Sequence, residues 1–145
     1  MRDNIRESVH RFYWRLDINC ARTTLSCLSE LMNTPVNLQT MQSAIGLHGA
    51  GGYRAQCGLV EGSLMFMGIF FAHKGKSDFE IANICYQFAK RFTEKFSSLR
   101  CYELRPNGFQ ENDPPHACEE LTVNVIEFTY SFMNSIDTQN NGHNT

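Results

Sequence analysis

The stretch from Cys57 to Lys74 constrains the fold more than any other part of the chain. Leu59, Val60, Leu64, Met65, Phe66, Met67, Ile69, Phe70 and Phe71 leave it apolar on almost every side. A helix with no polar face must be enclosed by several neighbours. Its longest apolar run, Ser63 to Ala72, is ten residues, about half of the roughly 20 that a bilayer requires. The segment therefore reads as the central helix of a soluble domain and not as a membrane span.

The rest of the chain supplies helices to enclose it. Asp3 to Arg15 places Ile5, Val9, Phe12 and Leu16 at steps of three and four, the stripe of an amphipathic helix, with Phe12, Tyr13 and Trp14 as core and rim residues. Asp17 or Asn19 can cap a second helix, Cys20 to Met32, carrying Leu25, Leu28 and Leu31, because either side chain can accept from the unpaired amides of a first turn. Asn37 can cap a short third, Leu38 to Ile45, with Leu38, Met41 and Ile45 on one side. Ser77-Asp-Phe-Glu80 has the form of a capping box and opens a helix ending near Ser98, with Ile81, Ile84, Cys85, Phe88, Phe92 and Phe96 inward. Asp113-Pro-Pro115 signals the start of a last helix, Pro115 to Ile136, whose stripe is Cys118, Leu121, Val125, Phe128, Phe132 and Ile136. Gly58, Gly62 and Gly68 would let a neighbour approach the central helix closely. No segment alternates as a strand does. The pattern predicts an all-α, single-domain, up-and-down helical bundle over residues 1–136, followed by a polar tail at 137–145.

With 42% hydrophobic residues in 145, the chain can build a core without disulfides. A net charge of -2 with its 13 Lys and Arg scattered argues against nucleic acid, which rewards clustered cations. Charges at Arg2, Asp3, Arg6, Glu7, Arg11 and Arg15 interrupt the N-terminus, so it lacks the apolar region of a secretory signal and the expected location is cytoplasmic. There, six cysteines are better read as buried thiols, metal ligands or redox groups than as structural disulfides.

The helix map sorts the six. Cys27 and Cys85 fall mid-helix on apolar faces, where cysteine acts as a small hydrophobe. Cys20 and Cys27, two turns apart on one helix, are separated by ~10 Å, too far for a disulfide. Cys20, Cys57 and Cys118 fall in or near the first turns of helices, and Cys101 follows the end of one. Helix N-termini carry partial positive charge, which favours thiolate and so favours both sulfur nucleophiles and metal ligands.

Asn19-Cys-Ala21, then Cys57-Gly-Leu-Val-Glu-Gly62 entering an apolar helix, then Leu99-Arg-Cys101, then Cys118 opening the final helix together resemble the C_GCAxxG_C_C family of putative redox-active proteins. The resemblance runs from about Arg11 to Phe132. It implies a helical fold and a redox role for Cys20, Cys57, Cys101 and Cys118. Leu59 stands where the family motif carries a small alanine, which bears on packing beside Cys57.

Three readings stay open. Cys20, Cys57, Cys101 and Cys118 could bind an iron–sulfur cluster or zinc; their separations of 37, 44 and 17 positions would require the fold, not a local knuckle, to assemble the site. They could instead perform metal-free thiol–disulfide exchange, with Cys57 attacking, another of the four resolving, and Glu61 on the same helix face able to exchange a proton. A redox partner protein or a small thiol or other electron donor would then be needed. Alternatively the chain is a small-ligand or protein-interaction module with incidental cysteines, in which Gly49, Gly51, Gly52 and Arg54 cradle a phosphate or carboxylate. His48 and His116 lie near the cysteine-bearing segments as further candidate ligands or as plain surface residues.

Overall fold

The computed structural model describes residues 1–105 and 108–141. Helix α1 (Arg2–His10) runs into a π-helical turn (Arg11–Arg15); α2 (Cys20–Leu31), α3 (Leu38–Ser43), the four-residue turn α4 (Gly49–Gly52), α5 (Gly58–His73), α6 (Asp78–Phe96), α7 (Cys101–Leu104) and α8 (Glu119–Asn141) follow. The fold is all-α, as expected. Among the described residues, the one β-type pairing is an isolated antiparallel bridge between Gln56 and Arg100. No helix among them is long and apolar enough to cross a membrane.

The all-round apolar segment is enclosed as its composition demands: α5 packs against α2, α6 and α8, and α8 also covers α1 and α2. Leu25, Leu28, Leu59, Phe66, Met67, Phe71, Phe88, Phe92, Ile126 and Met133 have essentially no contact with water. Phe88, Phe92, Phe96, Phe128 and Phe132 join α6 to α8 through rings 4.6–6.1 Å apart, a spacing at which tilted aromatic pairs attract. At 1.5 Å per residue, α5 with 16 residues and α6 with 19 span about 24 and 28 Å. The α5–α6 hairpin therefore returns the chain to the end at which α5 began.

Local chemistry sets the helix starts. Asn19, Asn37 and Ser77 accept hydrogen bonds from the amides of Arg22, Thr40 and Glu80 at 2.8, 2.9 and 3.2 Å. Asp17 instead takes a left-handed conformation (φ 49°) outside the helix. The crossing of α2 over α5 depends on absent side chains: a Cβ at Gly62 would stand 2.6 Å from the Ala21 carbonyl oxygen, and one at Gly58 would stand 2.6 Å from the Leu47 carbonyl oxygen and collide with Cys20 Sγ. Gly68, by contrast, has nothing within 4 Å of such a Cβ and takes no part in close packing.

Four expectations are corrected. The π-helical turn adds a residue to the end of the first helix, so the inward stripe passes from Phe12 to Tyr13 and leaves Leu16 59% exposed. Leu38 and Ile45 are exposed, since α3 ends at Ser43 before a complete apolar face forms. The last helix begins at Glu119 and not Pro115, because His116 adopts φ 59°, incompatible with a right-handed helix. That helix also continues to Asn141, past the predicted boundary at Ile136; residues 142–145 of the predicted tail lie outside the described residues.

Candidate functional site

Four of the six cysteines meet where helices begin. Cys20 is the first residue of α2, and the Asn19 side chain that caps it also donates to the carbonyls of Ala44 and Ile45 at 3.0 and 2.7 Å, tying the α2 start to the loop before α4. Cys57 precedes α5; its amide donates to the Leu99 carbonyl at 2.8 Å, while the Cys101 amide donates to the Ala55 carbonyl at 2.7 Å. These two bonds flank the Gln56–Arg100 bridge and tie the residue before α5 to the start of α7. Cys118 precedes α8, its carbonyl accepting from both the amide and the hydroxyl of Thr122 at 2.8 Å. Gly49 backs Cys101, at whose Cβ an added methyl on Gly49 would lie 3.4 Å away.

Every pairing among these four thiols is electrostatically coupled. Burial pushes Cys20 up to about 12, with Cys57, Cys101 and Cys118 acting in the same direction. It also pushes Cys57 up to about 11; the amides of Leu59 and Val60 oppose that rise, although neither makes a well-formed cap bond to the sulfur. Cys101 and Cys118 are raised by burial as well, but Arg105 and Arg54 oppose the rise at Cys101, and Arg105 opposes it at Cys118. The two pairs of thiols differ, and the arginines lie with the more accessible pair.

Cys20, Cys101 and Cys118 line a cavity of about 270 Å³ together with Tyr13, Asn19, His48, Gly52, Arg54, Arg105, Phe109, His116 and Ala117. Cys57, 5% exposed, lies outside that lining. Thr122 gives its hydroxyl proton to Cys118, so the buried Tyr13 hydroxyl donates to Thr122 Oγ1 at 2.7 Å. The His116 ring stacks on Tyr13 with centroids 4.6 Å apart and meets Asp17 Oδ1 at 3.1 Å. Arg54 and His116, both on the cavity wall, have φ of 70° and 59°, a conformation that costs an ordinary residue roughly 1–2 kcal/mol. Such strain is held in place by surrounding contacts and concentrates at functional sites.

A family model described as "Putative redox-active protein (C_GCAxxG_C_C)" matches residues 18–132, a span that contains Cys20, Cys57, Cys101 and Cys118 as well as the cavity's Arg54, Arg105 and Phe109. The chain belongs to this family. No curated protein and no solved structure matches the chain.

The C_GCAxxG_C_C chain brings together the four cysteines that helix position had singled out. It leaves Cys27 buried and Cys85 half-buried, each without electrostatic coupling to another thiol. Leu59 is buried in the core, and the close approach beside Cys57 is made at Gly58. Of the glycine-loop residues, Gly52 and Arg54 reach the cavity. The amides of Gly51 and Gly52 are engaged within the turn, donating to the carbonyls of Gly46 and His48 at 2.8 and 2.9 Å. Gly49, Gly51 and Gly52 all have positive φ and shape the turn. Glu61 is half-buried, its carboxyl raised by burial, and does not line the cavity. His48 and His116 both line it.

No group of three or more His, Cys, Asp or Glu among the described residues could hold a metal ion. The four sulfurs are thus not gathered as the ligands of one zinc ion or cluster in this arrangement. Tyr13, Arg105 and Phe109 escaped sequence reasoning. Phe109 gave the one available signal, a lone aromatic in the otherwise polar stretch Arg105 to Pro115.

Proposed function

We propose that this C_GCAxxG_C_C chain is a thiol–disulfide exchange protein, with Cys101 as the attacking sulfur and Cys118 as the resolving one. The observation that carries this reading is the placement of Cys20, Cys101 and Cys118 on the wall of one cavity with Arg54 and Arg105, whose guanidiniums both oppose the rise at Cys101. Thiolate is the nucleophile in exchange, so the thiol whose deprotonation the surroundings resist least reacts first. Burial outside the cavity lining moves the attacking role away from Cys57. Cys20, half-buried on the same cavity wall, and the buried Cys57 lie beside this pair.

The Cys101 thiol gives its proton to solvent, and the thiolate attacks one sulfur of a substrate disulfide. That S–S bond breaks, a mixed disulfide forms, and the departing thiolate takes up a proton. Cys118, likewise deprotonated, then attacks the Cys101 sulfur and expels the second substrate thiolate. Two protein thiols are oxidised and one substrate disulfide becomes two thiols; a dithiol reductant, small or protein-borne, returns the two electrons.

Fully reduced protein, treated with a limiting disulfide, quenched with acid and mapped by mass spectrometry, tests this. The expected product is a Cys101–Cys118 bond, reversed by dithiothreitol, with Cys27 and Cys85 still free. Oxidation spread evenly over all six cysteines, or none that is reversible, would overturn the reading. So would stoichiometric iron or zinc in protein purified without oxygen, lost in Cys57→Ser, since the thiols would then be ligands.

A further inference from the structure

Arg54 is a positive charge on the cavity wall that no carboxylate among the described residues balances. Its guanidinium carbon instead sits over the Phe109 ring, 3.8 Å from the centroid. Phe109 is braced from two further directions, by Arg105 at 4.2 Å and by the parallel ring of Tyr102 at 6.1 Å. Arg105 shares its charge with Asp113 at 2.9 Å, yet its Nε is buried with no hydrogen-bond partner. No Asp or Glu lines the cavity. A concave wall with surplus positive charge attracts anions, and a planar guanidinium fixed on an aromatic face presents its remaining donors in the fork that suits a carboxylate.

Size narrows the choice of anion. About 270 Å³ falls at the lower edge of the roughly 300–1,000 Å³ typical of small-molecule sites, room for one arm of a small disulfide. Both guanidiniums act on the Cys101 sulfur, so a carboxylate held by Arg54 keeps the rest of its molecule beside that sulfur.

Resting on the exchange reading above, we propose that the cavity selects low-molecular-weight disulfides bearing a carboxylate, which Arg54 binds while Phe109 holds the guanidinium in place. The covalent steps and their electron balance are those already given. What the site adds is a choice of substrate by charge.

The test is a comparison of three symmetrical disulfides of similar length: dithiodipropionate (anionic), hydroxyethyl disulfide (neutral) and cystamine (cationic). Each is reacted at low salt with the reduced full-length chain, and appearance of the Cys101 mixed disulfide or its Cys118 product is timed. The anionic compound is expected to react about tenfold faster than the neutral one, as one charge-assisted hydrogen bond allows, with the cationic compound slowest. Added salt compresses the order. Arg54→Gln collapses the anionic-to-neutral ratio toward one and Arg54→Glu inverts it; using a ratio cancels any effect of these changes on Cys101 itself. Equal rates for all three in the unaltered chain, or a disulfide within a folded protein reacting faster than the anionic compound, would overturn carboxylate selection while leaving exchange intact. Failure of all three to oxidise the protein would remove exchange, and the substrate inference with it.

Discussion

A helix N-terminus offers a neighbouring sulfur a stabilisation of roughly 0.3–1 kcal/mol at an exposed position, less than one pKa unit at ~1.4 kcal/mol per unit. Burial acts in the opposite direction by as much as several units. At Cys20 and Cys57 burial wins: both thiols stay protonated at neutral pH, the first rising to about 12 and the second to about 11. Placement at helix starts, which picked these cysteines out of the sequence, therefore identified where the sulfurs gather and misjudged their ionisation. Iodoacetamide at pH 7.5 is expected to modify Cys101 and Cys118 well before Cys20 and Cys57, a sequence that timed peptide mass spectrometry reads directly. The same shifts set a pH dependence of stability. Each raised thiol keeps its proton in the folded state while the unfolded chain loses it near the ordinary value of 9.0. Stability should thus be intact below about pH 9 and fall between there and about pH 12, by up to ~1.4 kcal/mol per pH unit per thiol. Urea denaturation across that window checks the slope, which Cys20→Ser should lessen.

Among the elements, the α2–α5 crossing carries the site. Cys20 comes against α5 because Gly58 has no side chain, and Ala21 because Gly62 has none. Gly58→Ala should cost about 1–3 kcal/mol, the usual range for overpacking against backbone that cannot yield, and should also disturb the reactivity of Cys20. Gly68→Ala, on the same helix with open space around it, should stabilise by about 0.5–1 kcal/mol through helix propensity alone. Opposite signs from one substitution on one helix, measured by chemical denaturation, separate close packing from propensity. Asn19→Ala removes the α2 cap and the two bonds to Ala44 and Ile45 and should lower stability by about 1–2 kcal/mol. Helix caps were legible because they are local: Asn19, Asn37 and Ser77 each act within three residues. The π-helical turn at Arg11–Arg15 was not. A single added residue leaves the apolar content of the window unchanged and only rotates its stripe, so Leu16 and Tyr13 exchange places relative to the core.

At the scale of the whole molecule, the all-α architecture followed from one segment that could not be solvated, and the gathering of four cysteines followed from which ends of which helices they occupy. The cavity wall did not. Arg54, Arg105 and Phe109 come from a left-handed turn and an irregular loop, and their stacking depends on backbone paths that no periodicity encodes. His116 shows the same limit: the Asp-Pro-Pro signal at residues 113–115 is real as a turn, since Asp113 accepts from the Gln110 amide at 2.8 Å, but a positive φ at His116 delays the helix to Glu119.

The α5–α6 hairpin has a practical side. Its turn, with Gly75 at φ 85° and Lys74, Gly75 and Ser77 exposed, lies a full helix length from Cys57, about 24 Å. A tether, dye or affinity handle inserted there would ride on the far pole of the molecule. Immobilised by that pole on an electrode or a resin, the chain would present its thiol cavity outward to whatever flows past.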